Sequence, residues 1–189
     1  MKFSFKIQPF QTEAVDAVLR VFNGQPKQDR VSYRRDLGVK DQKSVQTLFD
    51  EDEDDTGYRN APVELSGEQL LKNIREIQTA NNIKLSPALV KALGAASLDV
   101  EMETGTGKTY VYIKTMFELH KRYGWSKYIV VVPSVAIREG VKKSFEMTQE
   151  HFMELYGIKA RFFVYNSSNL HQLDEFSSGF GINVMIINT

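Results

Sequence analysis

The sequence predicts an α/β fold with a mostly parallel sheet flanked by helices, and two observations lead to this expectation. The second half of the 189-residue chain alternates apolar runs of strand length with amphipathic stretches of helix length. A glycine-rich loop lies between the first of these runs and the first of these helices. Such alternation is typical of parallel strands joined by crossover helices. The first half of the chain does not show this alternation.

Composition narrows the class of protein. Lys+Arg and Asp+Glu both number 24, so no overall basic bias indicates a nucleic-acid partner. The chain has no cysteine, which excludes disulfide scaffolds, thiolate zinc sites and cysteine nucleophiles, and its three histidines are scattered. It has neither an apolar stretch long enough to span a bilayer nor a signal-peptide pattern at its start. We therefore expect a soluble, cytoplasmic protein that does not engage a membrane.

Residues 1–26 form the first predicted unit, an amino-terminal segment and a helix over 9–22. Pro9 suits a first helical position. Phe10, Ala14, Val15 and Val18 follow at helical spacing and share one face. A Gly-Gln-Pro sequence at 24–26 ends the helix.

Residues 27–96 read as an insertion. Six consecutive acids at 50–55 repel one another and cannot be buried together, so they predict an exposed, mobile loop. A DNA-mimicking or gating flap is the less favoured alternative for this loop. Ser66 and Gln69 form a capping-box pattern that predicts one helix, with Leu70 on its inner face. A second short helix is predicted over 86–94, from Ser86 to a stop at the glycine.

Residues 97–189 carry the alternating pattern. Strands are predicted over 98–102, 128–132, 161–165 and 183–187, and helices over 108–123 and 134–145. The continuous apolar run at 128–132 favours a strand covered on both faces. The run at 98–102 alternates apolar with acidic residues, which fits a central parallel strand less well.

The loop Met102-Glu103-Thr104-Gly105-Thr106-Gly107-Lys108-Thr109 is the sharpest signal in the chain. Its glycines let the backbone turn closely, so that successive N–H groups form a nest for phosphate oxygens at a helix N-terminus. A strict phosphate-loop pattern has glycine at the position of Met102, so this is a variant of that pattern. The alternative, a glycine-rich turn with a fortuitous Gly-Lys-Thr, does not account for Lys-Thr at a helix start.

A bound nucleoside triphosphate, ATP or GTP, together with Mg²⁺ follows from these residue types. Thr104, Gly105, Thr106 and Gly107 supply the cradle. Lys108 is the candidate catalytic residue, because its ammonium reaches the β- and γ-phosphates, and the Thr109 hydroxyl is the candidate Mg²⁺ ligand.

Several stretches together resemble a known family. The string TGTGKT at 104–109 is similar to motif I of superfamily 2 helicases and translocases, and the wider string at 101–110 resembles the restriction (Res) subunit of type III restriction-modification enzymes. Pro-Phe-Gln at 9–11, Asn-Ile-Arg-Glu-Ile-Gln at 73–78 and the segment at 131–141 are similar to further stretches of that family. The resemblance implies that 97–189 is the first part of a RecA-like P-loop NTPase lobe, truncated before motif II.

The family pattern assigns further residues. Gln11 matches a glutamine that reads the adenine edge, although a solvated glutamine at a helix start is the alternative. Phe3 or Phe5 stacks on the base or packs in the core. The segment at 131–141 is similar to motif Ia, which implies DNA-backbone contacts for three residues, Pro133, Ser134 and Arg138. Thr189 corresponds to the start of motif Ib, a further DNA contact.

The resemblance implies the amino-terminal part of an ATP-dependent DNA translocase or helicase motor of a type III restriction endonuclease, which acts on double-stranded DNA with a methyltransferase (modification) subunit. The 189 residues alone are expected to be inactive as an ATP hydrolase, and either to self-associate through an unpaired sheet edge or to be partly disordered. The alternatives are a motor of another superfamily 2 helicase, for repair or remodelling, and a non-hydrolysing nucleotide-binding interaction module. A stretch of eight basic and two acidic residues at 108–143 fits a DNA track or ordinary solvated helix faces.

Overall fold

The computed structural model describes residues 5–29, 31–35, 56–92, 94–169 and 171–189. In chain order, these residues form α1 (Pro9–Val21), β1 (Val31–Arg34), β2 (Thr56–Arg59), α2 (Gly67–Ala80), α3 (Lys108–Tyr123), β3 (Lys127–Val132), α4 (Val135–Tyr156), β4 (Arg161–Val164), α5 (His171–Ser178) and β5 (Asn183–Asn188). The predicted acidic loop at 50–55 lies outside the described residues.

The main sheet has three parallel strands in the order β3-β5-β4. β5 is central, and Val184 and Ile186 within it are fully buried. The strands are joined by α4 and α5, so the predicted parallel α/β arrangement with flanking helices is confirmed. The strand bounds lie within one residue of the expected ones, because each strand is a short apolar run between turn-forming residues.

The core of the sheet lies on the face that α3 and α4 cover. Ring stacking between Phe117 of α3 and Phe152 of α4, with centroids 4.8 Å apart, joins the two helices. Phe145 of α4 stacks on Phe162 of β4 at 5.1 Å. The helices are therefore fixed to the sheet and to each other, and they hold the start of α3 in place.

The opposite face of β3 is open at Ile129 and Val131, so the expectation of a strand covered on both faces is wrong. Ile129 is 56% exposed and Val131 is 61% exposed, whereas Val132 is buried. Successive side chains of a strand point to opposite faces, and only one face is covered by α3 and α4. A continuous apolar run shows that both sets of side chains are apolar, but it does not show what packs against each.

The predicted strand over 98–102 is also wrong. These residues are without regular structure, and Val100 is 48% exposed. A parallel strand needs a neighbour to satisfy its N–H and C=O groups, and no strand in the described parts of the chain pairs with this segment. The exposed Asp99 and Glu101 agree with this result.

The predicted helix over 86–94 does not form in the residues that are described there. The Arg75 guanidinium donates from Nε to the carbonyl of Ser86 and from Nη2 to the carbonyl of Pro87, both at 2.9 Å. Those carbonyls would otherwise accept the first intrahelical hydrogen bonds. Arg75 belongs to α2, whose predicted capping box between Ser66 and Gln69 is present.

The insertion also contains an antiparallel pair, β1 and β2, which the sequence does not predict. Several hydrogen bonds fasten the insertion to the rest of the molecule, among them those of Asn73 and Trp125. The Asn73 amide donates to the carbonyls of Val21 and Asn23, at the end of α1. The Trp125 indole N–H donates to the carbonyl of Ala61 at 3.0 Å, just before β3.

Helices α1, α3 and α4 follow the sequence closely at their starts. α1 buries Val15 and Leu19, whereas Phe10, which was expected on the inner face, is 45% exposed. α3 has the predicted bounds, and Gly124 ends it in the left-handed region at φ 78°. α4 runs 11 residues beyond the predicted end at 145, because the buried Phe152 continues its apolar face.

None of the helices in the described residues is long and apolar enough to cross a bilayer.

Candidate functional site

The glycine loop joins the extended segment after 98 to the start of α3. Gly105 has φ 82° and Gly107 has φ 87°, both in the left-handed region that glycine adopts without steric cost. Two left-handed residues around Thr106 turn the backbone sharply before the helix begins. The sequence therefore needs glycine at both positions for the conformation itself.

The space beside the loop is empty at Gly105 and is filled by a side chain at Gly107. A Cβ added to Gly105 would meet no atom within 4 Å. A Cβ added to Gly107 would lie 2.6 Å from the side-chain nitrogen of Gln11. The open side leaves room for a ligand at Gly105, while α1 supports the loop at Gly107.

Two side-chain hydrogen bonds hold the loop, beside a backbone bond from the N–H of Thr106 to the carbonyl of Glu103 at 3.4 Å. The Thr106 hydroxyl donates to the carbonyl of Glu103 at 2.6 Å. The Gln11 amide nitrogen donates to the carbonyl of Thr106 at 2.9 Å, across 95 positions of sequence. The sequence does not predict the bond between Gln11 and Thr106, because no residue near Gln11 in the chain indicates contact with so distant a loop. This bond leaves the amide oxygen of Gln11 for another partner.

The start of α3 is positively polarised and is not capped by a side chain. The N-cap residue is Gly107, which has no side chain to accept from the first N–H groups of the helix. The Lys108 side chain is exposed beside these groups, and Thr109 is half-buried. Free N–H groups, the helix dipole and an ammonium group thus occur together at one exposed point, which suits an anion.

A ring cluster supports the first turn of α3, just after Lys108. The Tyr110 hydroxyl lies 3.0 Å from Nε2 of His151 in α4, and the ring of Phe5 lies 4.9 Å from the imidazole. Phe5 therefore packs against side chains of the protein, and Phe3 lies outside the described residues. Burial lowers the pKa of His151, and the charge of Lys114 lowers it further, while Glu154 opposes both.

The residues expected to contact DNA meet at the carboxyl ends of β3 and β5. Ser134 is the N-cap of α4, and its hydroxyl accepts from the N–H of Ile137 at 3.3 Å. The N–H of Thr189 donates to the carbonyl of Val132 at 3.1 Å, which extends the pairing of β5 with β3. Pro133, Ser134 and Thr189 therefore share one end of the sheet.

Arg138 lies one turn into α4 and already has partners. Its Nη1 donates to the side-chain oxygen of Asn188 at 2.8 Å. Its Nε and Nη2 donate to Oε1 of Glu139 at 3.2 and 3.0 Å. Sequence reasoning missed Asn188, and the only available signal was its place at the end of an apolar strand, where polar side chains of an α/β sheet gather.

The fold and the site together define the class of protein. A parallel sheet flanked by helices, with a glycine loop that opens one of those helices, is the arrangement of a partial RecA-like lobe. The family model described as type III restriction enzyme, res subunit, matches residues 4–171. The chain belongs to this family.

Three curated relatives are similar to the chain. The Res subunit of the type III restriction-modification enzyme EcoP15I of Escherichia coli is 35% identical over 161 residues, which cover 84% of the chain and 14% of that protein. The EcoPI Res subunit of Escherichia phage P1 is 31% identical over 206 residues, which cover 99% of the chain and 19% of that protein. The StyLTI Res subunit of Salmonella typhimurium is 49% identical over 63 residues, which cover 32% of the chain and 6% of that protein. The chain thus spans less than a fifth of the length of these relatives.

Proposed function

We propose that this chain is the amino-terminal part of an ATP-dependent DNA motor, with its nucleotide bound at the glycine loop and its DNA contacts at the ends of β3 and β5. The observation that carries the proposal is the uncapped start of α3, where Lys108 is exposed beside a loop that is open at Gly105. Family membership makes ATP and Mg²⁺ the natural occupants. The relatives' names extend this role to type III restriction.

The residues present fit a nucleoside triphosphate. The backbone N–H groups of 105–109 would hold the phosphates, because two left-handed glycines and a helix N-terminus aim donors at the same place. Lys108 would neutralise the β- and γ-phosphates, and Thr109 would contribute its hydroxyl to Mg²⁺. Bound Mg²⁺ would supply charge neutralisation of the phosphates during phosphoryl transfer. Thr104 and Thr106 flank the glycine and complete the loop.

Gln11 would couple the base to the phosphate loop. One N–H of its amide is used on Thr106, which leaves the amide oxygen to accept from an adenine amino group. A purine bound there would add a second contact to a side chain that already braces the loop. This supports a combined role for Gln11, in which the same side chain recognises adenine and holds the glycine loop.

The DNA contact would be made through phosphates. Pro133 and Ser134 directly precede α4, which begins just after β3 ends, and Arg138 adds a guanidinium one turn later. Thr189 ends β5 beside them. These groups suit sequence-independent contacts with double-stranded DNA, as a translocating motor requires. The methyltransferase subunit of a restriction-modification system would be the protein partner.

DNA-stimulated ATP hydrolysis by the intact protein tests this proposal. Lys108→Ala should abolish the DNA-stimulated rate, whereas Lys121→Ala, which removes an exposed lysine from the same helix, should leave it unchanged. Equal rates for Lys108→Ala and the parent protein would refute the motor. Restriction that persists with Lys108→Ala would instead support a non-hydrolysing binding module.

A further inference from the structure

Arg138 is held in one orientation by an amide of the neighbouring strand. Asn188 pairs in register with Val132, so it lies beside the point where β3 ends and α4 begins. Its side-chain oxygen accepts from Arg138 at 2.8 Å, and its side-chain nitrogen donates to the carbonyl of Thr189 at 3.3 Å. The second bond fixes which end of the amide faces the guanidinium.

The remaining edge of the same guanidinium is occupied by a carboxylate. Nε and Nη2 of Arg138 both donate to Oε1 of Glu139. This fork of two parallel donors is the one that arginine presents to a phosphate. The Glu139 side chain is 55% exposed, whereas that of Arg138 is 22% exposed, so the carboxylate can move into water while the guanidinium stays.

We infer that Asn188 is a positioning residue for the DNA-phosphate contact of Arg138, and that Glu139 is a placeholder that the phosphate displaces. The inference rests on the proposed DNA contact at the start of α4. Asn188 uses only Nη1, so its bond survives when a phosphate oxygen takes the Nε and Nη2 edge. An arginine that is already oriented loses less side-chain entropy on binding than a free one.

The Glu139 carboxylate also weakens the binding of isolated anions to Arg138. While Glu139 is paired, it neutralises the positive charge at the start of α4, so anions must compete with an intramolecular carboxylate. A DNA backbone does this through several phosphates at once, whereas an isolated anion does not. The pair therefore favours a polyanion over single ions.

The test is DNA affinity of the intact protein, measured by anisotropy of a fluorescein-labelled duplex over a salt series. Arg138→Ala should weaken binding and reduce the salt slope by about one. Asn188→Ala should weaken binding about fivefold, the size of one net hydrogen bond, and should have no further effect in the Arg138→Ala background. The same fivefold effect in both backgrounds would mean that Asn188 acts only on the fold, and would overturn its positioning role.

Glu139→Gln gives a test that does not touch β5. It should tighten binding by about two- to fivefold, the range of an exposed ion pair. Glu146→Gln is the matched control, because Glu146 pairs with Lys142 on the same helix and is equally exposed. Equal gains from the two variants would reflect net charge alone and would overturn the placeholder. Unchanged affinity with Arg138→Ala would instead refute the proposed DNA contact itself.

Discussion

The side-chain nitrogen of Gln11 lies 2.9 Å from the carbonyl oxygen of Thr106, and the same nitrogen occupies the space where a side chain at Gly107 would begin. A single glutamine in α1 therefore holds the glycine loop, and a larger residue at position 107 would have to displace its side chain. The first helix is part of the candidate nucleotide site even though some 95 positions separate the two residues.

Gln11→Ala should weaken nucleotide binding, because the loop loses one hydrogen bond and the base loses an acceptor. We expect a loss of about 1 to 2 kcal/mol in binding free energy for Mg²⁺ with a non-hydrolysable ATP analogue, measured by calorimetry. Gln8→Ala is the control, since the Gln8 side chain makes no capping bond at the start of α1. Equal affinity for Gln11→Ala and Gln8→Ala would contradict the role of Gln11.

Gly107→Ala should cost more stability than Gly105→Ala in the absence of nucleotide. Both substitutions place alanine at a positive φ, which costs about 1 to 2 kcal/mol. Only at Gly107 would the new Cβ also displace Gln11 from Thr106. The free energy of unfolding, measured in urea, should therefore fall further for Gly107→Ala than for Gly105→Ala. When Gln11→Ala is added to both variants, this difference should disappear. The same cost at both glycines would show that Gln11 does not close the loop.

Stability should fall at acid pH through His151. Burial lowers its pKa below the ordinary value of 6.5, so the unfolded chain takes up a proton at a higher pH than the folded chain does. The stability that neutral His151 gives the folded protein is therefore complete above about pH 6.5. It is lost as the pH falls through that value toward the lower pKa of the folded state. Thermal unfolding across this range should show a weaker pH dependence for His151→Gln than for the parent protein. An equal pH dependence for His151→Gln and the parent protein would contradict this prediction.

The 189 residues expressed alone should self-associate through the open face of β3. Ile129 and Val131 are more than half exposed there, and β3 is also an edge of the sheet. Val131→Lys should shift light scattering toward the monomer, because it places a charge on that face. Val90→Lys, at an equally exposed valine outside the sheet, is the control. A monomer at high concentration for the parent chain would contradict this prediction.

The parts of the fold that the sequence predicted are those with local causes. The caps of α3 and α4, at Gly124 and Ser134, and the capping box of α2 depend on residues within a few positions of each other. The glycine loop was recognisable for the same reason, since its conformation needs glycine at two positions. These local features are present in the structure as predicted, because no tertiary contact competes with them.

The parts that the sequence did not predict have causes elsewhere in the chain. Arg75 takes the carbonyls that a helix at 86–94 would need, and it lies 11 positions from the nearer of them. The antiparallel pair of β1 and β2 joins segments more than 20 residues apart. The bond between Gln11 and Thr106 and the one between Arg138 and Asn188 cross even larger separations. A single sequence carries no local record of such pairs.

The most direct test is nucleotide binding at the start of α3. Calorimetry with Mg²⁺ and a non-hydrolysable ATP analogue should show binding to the intact protein, a loss of at least tenfold in affinity with Lys108→Ala, which is about 1.4 kcal/mol, and no change with Lys121→Ala. Unaltered affinity with Lys108→Ala would show that the glycine loop does not hold the phosphates, and the motor would have to be abandoned.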